Sequence, residues 1–395
     1  MNTDIEKERK WNYLFLANST KPEKELYESR EPYHISSFEK IPVETAAELG
    51  CEVYVGINRK FASEISCDHP NVYLRKAEIY RNPFHIGEVW RAYQNVMTIL
   101  KEEKIDVIHC NTPIGGVLGR ICGKRAGVKK IIYTAHGFHF YKGAPLLNWL
   151  LYYPLERWMA HDTDVLITMN QEDYRRAQKF HLKKGGQVCY MPGVGISLER
   201  YRHGEKNREK VRKSLGVSQE AFLVISSGDL VKNKNFGMAI RSIARCNDEN
   251  IHLLICGKGP ELKKLRRLAQ TCGVRKQVHF LGFRNDMKEL LQASDVFMMT
   301  SFREGLSRSV MEAMASGLPV VATRIRGNVD LIDENGGYFV AVNDERGAAK
   351  SIELLKENAM LRIKMGAYNK ERVKNFSKEC VQERMLEIYR HVWES

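Results

Sequence analysis

No Cys-x-x-Cys pair occurs in the sequence, and its nine cysteines, at positions 51, 67, 110, 122, 189, 246, 256, 272 and 380, are odd in number and scattered. That pattern disfavours a disulfide framework or a zinc cluster, and thiols inside apolar runs such as 105–110 and 253–256 read as reduced core residues of a reducing compartment. A long uninterrupted apolar run is also missing. The longest, Leu146 to Ala160, is broken by Asn148, Pro154, Glu156 and Arg157, so no spanning helix is expected. The opening residues Met1 to Lys7 carry acids and no apolar core, which argues against a secretory leader. Absence of repeats and low-complexity tracts sets aside solenoids and flexible tails. Gly115-Gly116-Val117-Leu118-Gly119 and Gly257-Lys258-Gly259 each fall short of Gly-x-Gly-x-x-Gly, which disfavours a dinucleotide oxidoreductase.

What is present is basic and apolar enough to fold. The 395 residues are 43% hydrophobic and carry a formal charge of +14. At about 150 residues per domain the length suggests two or three domains. The charge implies an anionic partner: nucleic acid, an acidic membrane face or a phosphorylated small molecule. Short Val- and Ile-rich runs alternate with longer amphipathic segments, the mark of βαβ units and parallel sheets covered on both faces. Strands are expected at 11–17, 52–57, 105–110, 130–135, 164–169 and 188–191. A second series is expected at 222–226, 252–256, 277–280, 296–300, 319–323 and 337–340. With the charged segment Glu199–Lys213 read as the junction, the domains are 1–200 and 201–376, followed by a helix over 377–395 that packs back toward the first. Two doubly wound, Rossmann-like α/β domains would face one another across a cleft.

The richest stretch runs from Arg303 to Thr323. It reads as a loop, a short helix and a buried strand, with Glu304 before the helix and Glu312 inside it. A helix starting near Ser307 presents free N–H groups and partial positive charge to an anion, and Gly305 permits close backbone approach. Eight residues apart, the two carboxylates address different groups. Glu312, set within Val310-Met311-Glu312-Ala313-Met314-Ala315, is expected to have a partner.

The spacing Glu304-x7-Glu312, followed by Ala313-Met314-Ala315-Ser316-Gly317-Leu318-Pro319-Val320-Val321-Ala322, resembles the retaining glycosyltransferases of family 4, which have the GT-B fold. Gly228-Asp229-Leu230 with Lys234-Asn235, Gly257-Lys258-Gly259-Pro260 and Val278-His279-Phe280-Leu281-Gly282-Phe283 extend the resemblance. In the first half, Tyr133–Gly143 and Met191–Ile196 resemble the branch that makes bacterial capsular and exopolysaccharides.

The resemblance implies that Glu304 binds donor-sugar hydroxyls, Glu312 the ribose and Lys234 the diphosphate. It implies phosphate contacts from the backbone of Gly305, Leu306 and Ser307, a place for Gly228 in the donor site, and His136 beside the sugar. Phe283 and Arg284 occupy the nucleobase stretch. The catalytic set is His136, Glu304 and Lys234. No cofactor or metal is expected: Asp162-Thr163-Asp164 looks like a metal-binding Asp-x-Asp, but it opens a strand in a chain whose other motifs fit the metal-free fold. Three departures stand out. Asp229 replaces the arginine that relatives place on the diphosphate, leaving Lys232, Lys258 or Arg308 to compensate. Gly193-Val194-Gly195-Ile196-Ser197 lacks the usual polar turn, and Asn18-Ser19-Thr20-Lys21-Pro22 replaces the N-terminal Gly-Gly loop.

Tyr141 to Trp158 mixes Trp, Tyr, Leu and basic residues, as an interfacial helix or equally a core helix does. Arg120, Lys124, Arg125, Lys129 and Lys130 are candidates for meeting anionic lipid or a lipid diphosphate. The expected activity is metal-independent, retaining transfer from a nucleotide sugar, with uridine diphosphate as the expected carrier, to a lipid-linked glycan. The protein would be peripheral on the acidic cytoplasmic face of the plasma membrane. A GT-B-fold nucleotide-sugar epimerase and a basic nucleic-acid-binding protein are the alternatives; no basic-aromatic module supports the latter.

Overall fold

The computed structural model describes residues 10–201 and 208–394. The leader segment considered above, Met1 to Lys7, and residues 202–207 of the charged junction lie outside the described residues. The chain divides into two units. One comprises residues 1–194 with 381–395, the other residues 195–380.

The first unit is built on seven strands, β1 (Asn12–Leu16), β2 (Glu52–Ile57), β3 (Val72–Lys76), β4 (Val107–Asn111), β5 (Lys130–Ala135), β6 (Val165–Thr168) and β7 (Gln187–Tyr190). Their order is β3-β2-β1-β4-β5-β6-β7, all parallel. Order reverses between β1 and β4, the switch point outside which doubly wound sheets bind ligands. Both faces are covered, so Tyr13, Leu14, Phe15 and Leu16 in succession are buried. Strand β3 is not among the sequence expectations. It lies at the sheet edge, where Val72 and Leu74 are buried and Tyr73 is about half exposed, so it lacks the continuous apolar run of a central strand.

The second unit repeats the plan with β8 (Phe222–Ser227), β9 (Ile251–Cys256), β10 (Val278–Gly282), β11 (Val296–Met299), β12 (Val320–Thr323) and β13 (Gly337–Val340), ordered β10-β9-β8-β11-β12-β13 and all parallel. The supposed junction is in part structural here: the helix Arg208–Ser214 sends Arg212 into the interior. Its guanidinium meets Asp295 at 2.8 Å and donates to the carbonyls of Ala221 at 2.6 Å and Ala293 at 3.1 Å, which offsets the cost of burying the charge.

The last helix, Lys378–Glu394, is capped by Ser377, whose Oγ accepts from the Cys380 N–H at 3.2 Å. It lays Val381, Met385, Ile388, Tyr389 and Val392 on one face of the first sheet. There the Tyr389 hydroxyl lies 2.7 Å from both Tyr13 Oη and His109 Nδ1, and His109 Nε2 lies 2.7 Å from Thr134 Oγ1. Burial pushes the His109 pKa down to about 3. A neutral ring completes this network without an unpaired buried charge.

Two surface expectations change. Arg120 is buried, held by Glu156 at 2.9 Å and stacked on Tyr133, while Lys124 pairs with Asp162, Lys129 with Asp106, and Arg125 with the Tyr93 hydroxyl. Arg120 therefore meets no lipid, and the nearby acids neutralise Lys124 and Lys129. The helix Leu146–Ala160 buries only Glu156, Met159 and Ala160 fully and leaves Leu146, Leu147, Leu150, Leu151 and Trp158 exposed. Among the described residues no helix is long and apolar enough to cross a membrane.

Candidate active site

The candidate residues of the second unit lie on the loops at the carboxyl ends of β8, β10 and β11 and in the helix that follows β11. After β8, Gly228 and Asp229 lead into a single 3-10 turn, Lys232–Lys234. Three loops are knitted there by backbone contacts. Gly228 N–H donates to Cys256 O at 3.0 Å, Gly257 N–H to Gly282 O at 2.7 Å and Leu230 N–H to Lys258 O at 2.8 Å. Gly257 sits at φ 152°, and a Cβ on it would lie 1.9 Å from the Gly228 carbonyl oxygen. Only glycine permits that approach.

The lysine turn is fastened to the loop after β11. Phe302 N–H donates to Asn233 O at 2.9 Å and Asn233 Nδ2 to Arg303 O at 3.0 Å. The Thr300 hydroxyl lies 3.1 Å from Lys234 O and 3.0 Å from Asn235 O. So fixed, Lys234 Nζ reaches Glu304 Oε1 at 2.7 Å, with both side chains mostly shielded from solvent. Gly327 supports the next turn from beneath, since a Cβ there would meet the Gly305 carbonyl at 2.4 Å.

Ser307 is the N-cap of the helix Arg308–Ala315, its Oγ accepting from the Val310 N–H. The cap uses one of the free donors of the first turn and leaves the others for an anion. Glu312 has the partner expected of it: Arg308 Nε donates to its Oε1 at 3.1 Å, one turn earlier in the same helix. Tyr201 is a second neighbour, its phenol pKa raised by burial and then by the Glu312 carboxylate. Of the three cations offered as compensation for Asp229, Arg308 is thus engaged by Glu312, while Lys232 and Lys258 are exposed. Phe283 is exposed, and Arg284 grips Asp286 two residues on, Nε to Oδ1 at 2.7 Å.

His136 belongs to the first unit, after β5. Its Nδ1 lies 2.9 Å from Met169 Sδ and its ring meets Phe38 edge-on, while Nε2 is buried without a hydrogen-bond partner among the described residues. Burial pushes its pKa down to about 4. It lines a small pocket with Phe38, Asn111, Thr134 and Met169. Asp162 and Asp164, the metal-like pair, are bound to Lys124 and Lys183, and Asp164 also accepts from the Ile131 N–H at 2.8 Å. Among the described residues no group of three or more His, Cys, Asp or Glu side chains is placed to hold a metal ion.

Lys234 and Glu304 are thus brought into contact, Gly305 to Ser307 follow directly, and Gly228 packs on the Lys234 stem, where a Cβ would lie 3.2 Å from Cε. Tyr201, Asn233, Thr300 and Gly327 are the site-building residues that the sequence does not disclose. Only the glycine carries a compositional hint.

Residues 207–372 match the family model described as glycosyl transferases group 1, and residues 33–170 the model described as glycosyl transferase 4-like. The sequence is 33% identical over 363 residues to EpsD of Bacillus subtilis, a protein classed with the glycosyltransferases, covering 90% of this chain and 93% of that one. It is 30% identical over 272 residues to the UDP-Gal:alpha-D-GlcNAc-diphosphoundecaprenol alpha-1,3-galactosyltransferase of Escherichia coli, covering 67% and 70%. The fold is similar to that of HepE from Anabaena, solved with UDP and glucose, with a TM-score of 0.75, 20% identity and coverage of 96% and 100%.

Proposed function

The chain belongs to the group 1, family 4-like glycosyltransferases, and on that premise we propose that it transfers a sugar from a UDP-sugar to a lipid-linked glycan in the assembly of an extracellular or capsular polysaccharide. The observation that carries this reading is the Lys234–Glu304 pair at 2.7 Å, set on the carboxyl edge of the second sheet directly before the capped helix at Ser307. A nucleoside diphosphate arriving there meets an ammonium group and a helix N-terminus, which stabilise the negative charge that grows on the leaving phosphate. Lys234 turns from the carboxylate to the diphosphate, and Glu304 is released to bind hydroxyls of the transferred sugar. Glu312, steadied by Arg308, takes the ribose. Phe283 and Arg284 flank the nucleobase.

The anomeric configuration is retained through a front-face route in which the departing phosphate oxygen accepts the acceptor's proton, so neither a protein nucleophile nor a metal is required. The named donor and acceptor of the Escherichia coli relative, UDP-Gal and a diphosphoundecaprenol-linked sugar, support a uridine nucleotide and a lipid-borne acceptor here. Such an acceptor draws the enzyme to the acidic cytoplasmic face of the membrane as a peripheral protein. Lys234→Ala or Glu304→Ala abolishes transfer while thermal unfolding stays cooperative, and EDTA leaves the wild-type rate unchanged. Full activity in either variant overturns the assignment.

A further inference from the structure

Two helices on one face of the first sheet expose apolar turns toward the same edge. The helix Ile86–Glu102 links β3 to β4 and the helix Leu146–Ala160 links β5 to β6, and both feed one core cluster. As crossovers between parallel strands, both start at the carboxyl edge of the sheet. At those starts the packing is one-sided: Trp149 turns toward the core cluster while its apolar neighbours face outward. Leu147, Leu150 and Leu151 are 62%, 71% and 56% exposed, and they lie at helical spacing with Trp158 further along. Phe84 and Ile86 are 86% and 81% exposed at the head of the other helix, with Trp90 one turn on.

The charge around them has one sign. The only acid of the helix Leu146–Ala160 is Glu156, which is buried against Arg120 at 2.9 Å, so the outward face carries Arg157 alone. Glu88, the acid in the first turn of the other helix, is bound by Lys21 at 2.6 Å, and Arg81 and Arg91 are exposed on either side of it.

We propose that these two turns form a membrane-docking surface that inserts Leu147, Leu150, Leu151, Phe84 and Ile86 into an anionic bilayer, with Trp90, Trp158 and the arginines at headgroup level. The assignment rests on the reading that the acceptor is lipid-linked. Apolar side chains rimmed by aromatics and arginines suit an interface of that kind. A second copy of the chain suits it less, because a two-fold contact through this surface would set arginines against arginines.

The test is co-sedimentation of the full chain with phosphatidylglycerol–phosphatidylcholine vesicles. Wild-type protein sediments with them, less so in high salt. Leu147→Glu with Leu151→Glu, and separately Phe84→Glu with Ile86→Glu, weaken binding at least tenfold, while the thermal shift induced by UDP is unchanged because neither pair touches the candidate active site. Wild-type protein that stays in the supernatant overturns the proposal. So do variants that bind as well as wild type, and so does a solution dimer that these substitutions dissociate. A wild-type protein that sediments yet shows no UDP shift overturns the donor reading and leaves the surface standing.

Discussion

At Asp229 a carboxylate stands exposed just before the Lys234 turn, at a position where the resemblance to family 4 implies an arginine for the diphosphate. Replacing it by arginine changes the local charge by two, from −1 to +1. An exposed charge pair contributes about 0.2–1 kcal/mol, or about 0.4–2 kcal/mol for a change of two charges, so Asp229→Arg tightens UDP binding by roughly two- to thirtyfold at low ionic strength. Most of that gain vanishes in 0.5 M salt, where the screening length falls to about 4 Å. Isothermal titration at the two salt concentrations measures both, and equal affinity of variant and wild type at low salt refutes the placement. Gly257 makes the opposite kind of prediction. At φ 152° and with the Gly228 carbonyl where its Cβ would be, Gly257→Ala must push two loops apart. The expected loss is on the order of 2 kcal/mol or more in unfolding free energy, with weaker UDP binding beside it.

The helix Lys378–Glu394 shows how one element is secured at two levels. Tyr389 contributes a buried ring and a hydroxyl shared with Tyr13 and His109. Tyr389→Phe keeps the ring and costs about 1 kcal/mol, because Tyr13 Oη, 3.0 Å from His109 Nδ1, still serves the imidazole. Tyr389→Ala opens a cavity and costs about 3–5 kcal/mol by urea unfolding. Elements of this kind are legible in sequence where burial is continuous. All six strands of the second sheet, and the Val381, Met385, Ile388, Tyr389 and Val392 face of this helix, are read directly from apolar pattern. Edge strand β3 is not, because it buries one side only, nor is the helix Lys24–Glu28, which buries no side chain at all. At the site, Lys234, Glu304 and the Ser307 cap are readable as motif. The Asn233 and Thr300 fastenings are not, since a hydrogen bond to a distant carbonyl leaves no trace in local composition, whereas the Arg308–Glu312 pair stands at the i,i+4 spacing at which helical side chains meet. Arg120 misleads for the converse reason: a basic residue in a basic run reads as surface until Glu156 is found across the helix pair.

For the whole molecule, two buried histidines set an acid limit. Burial holds His109 at about 3 and His136 at about 4, against an ordinary value of 6.5. Below about pH 6.5 the unfolded chain binds protons that the folded chain refuses, so stability is fully present above that pH and declines as pH falls toward 4 and then 3. The slope is about 1.4 kcal/mol per pH unit for each histidine. Urea midpoints measured from pH 7.5 to pH 5 should fall with acid. His109→Asn shows a shallower fall in that series if this residue contributes as argued, and an unchanged slope excludes it.

The first unit is discontinuous in the chain, interrupted after Val194 and resumed at Val381. During synthesis the whole of the second unit therefore leaves the ribosome before the residues that finish the first. Until then the sheet face bearing Val53, Val55 and Ile132 waits without Met385, Ile388 and Tyr389. A nascent chain in that interval holds an uncovered apolar face, and the helix residues from Val381 onward decide when the unit made first closes its core.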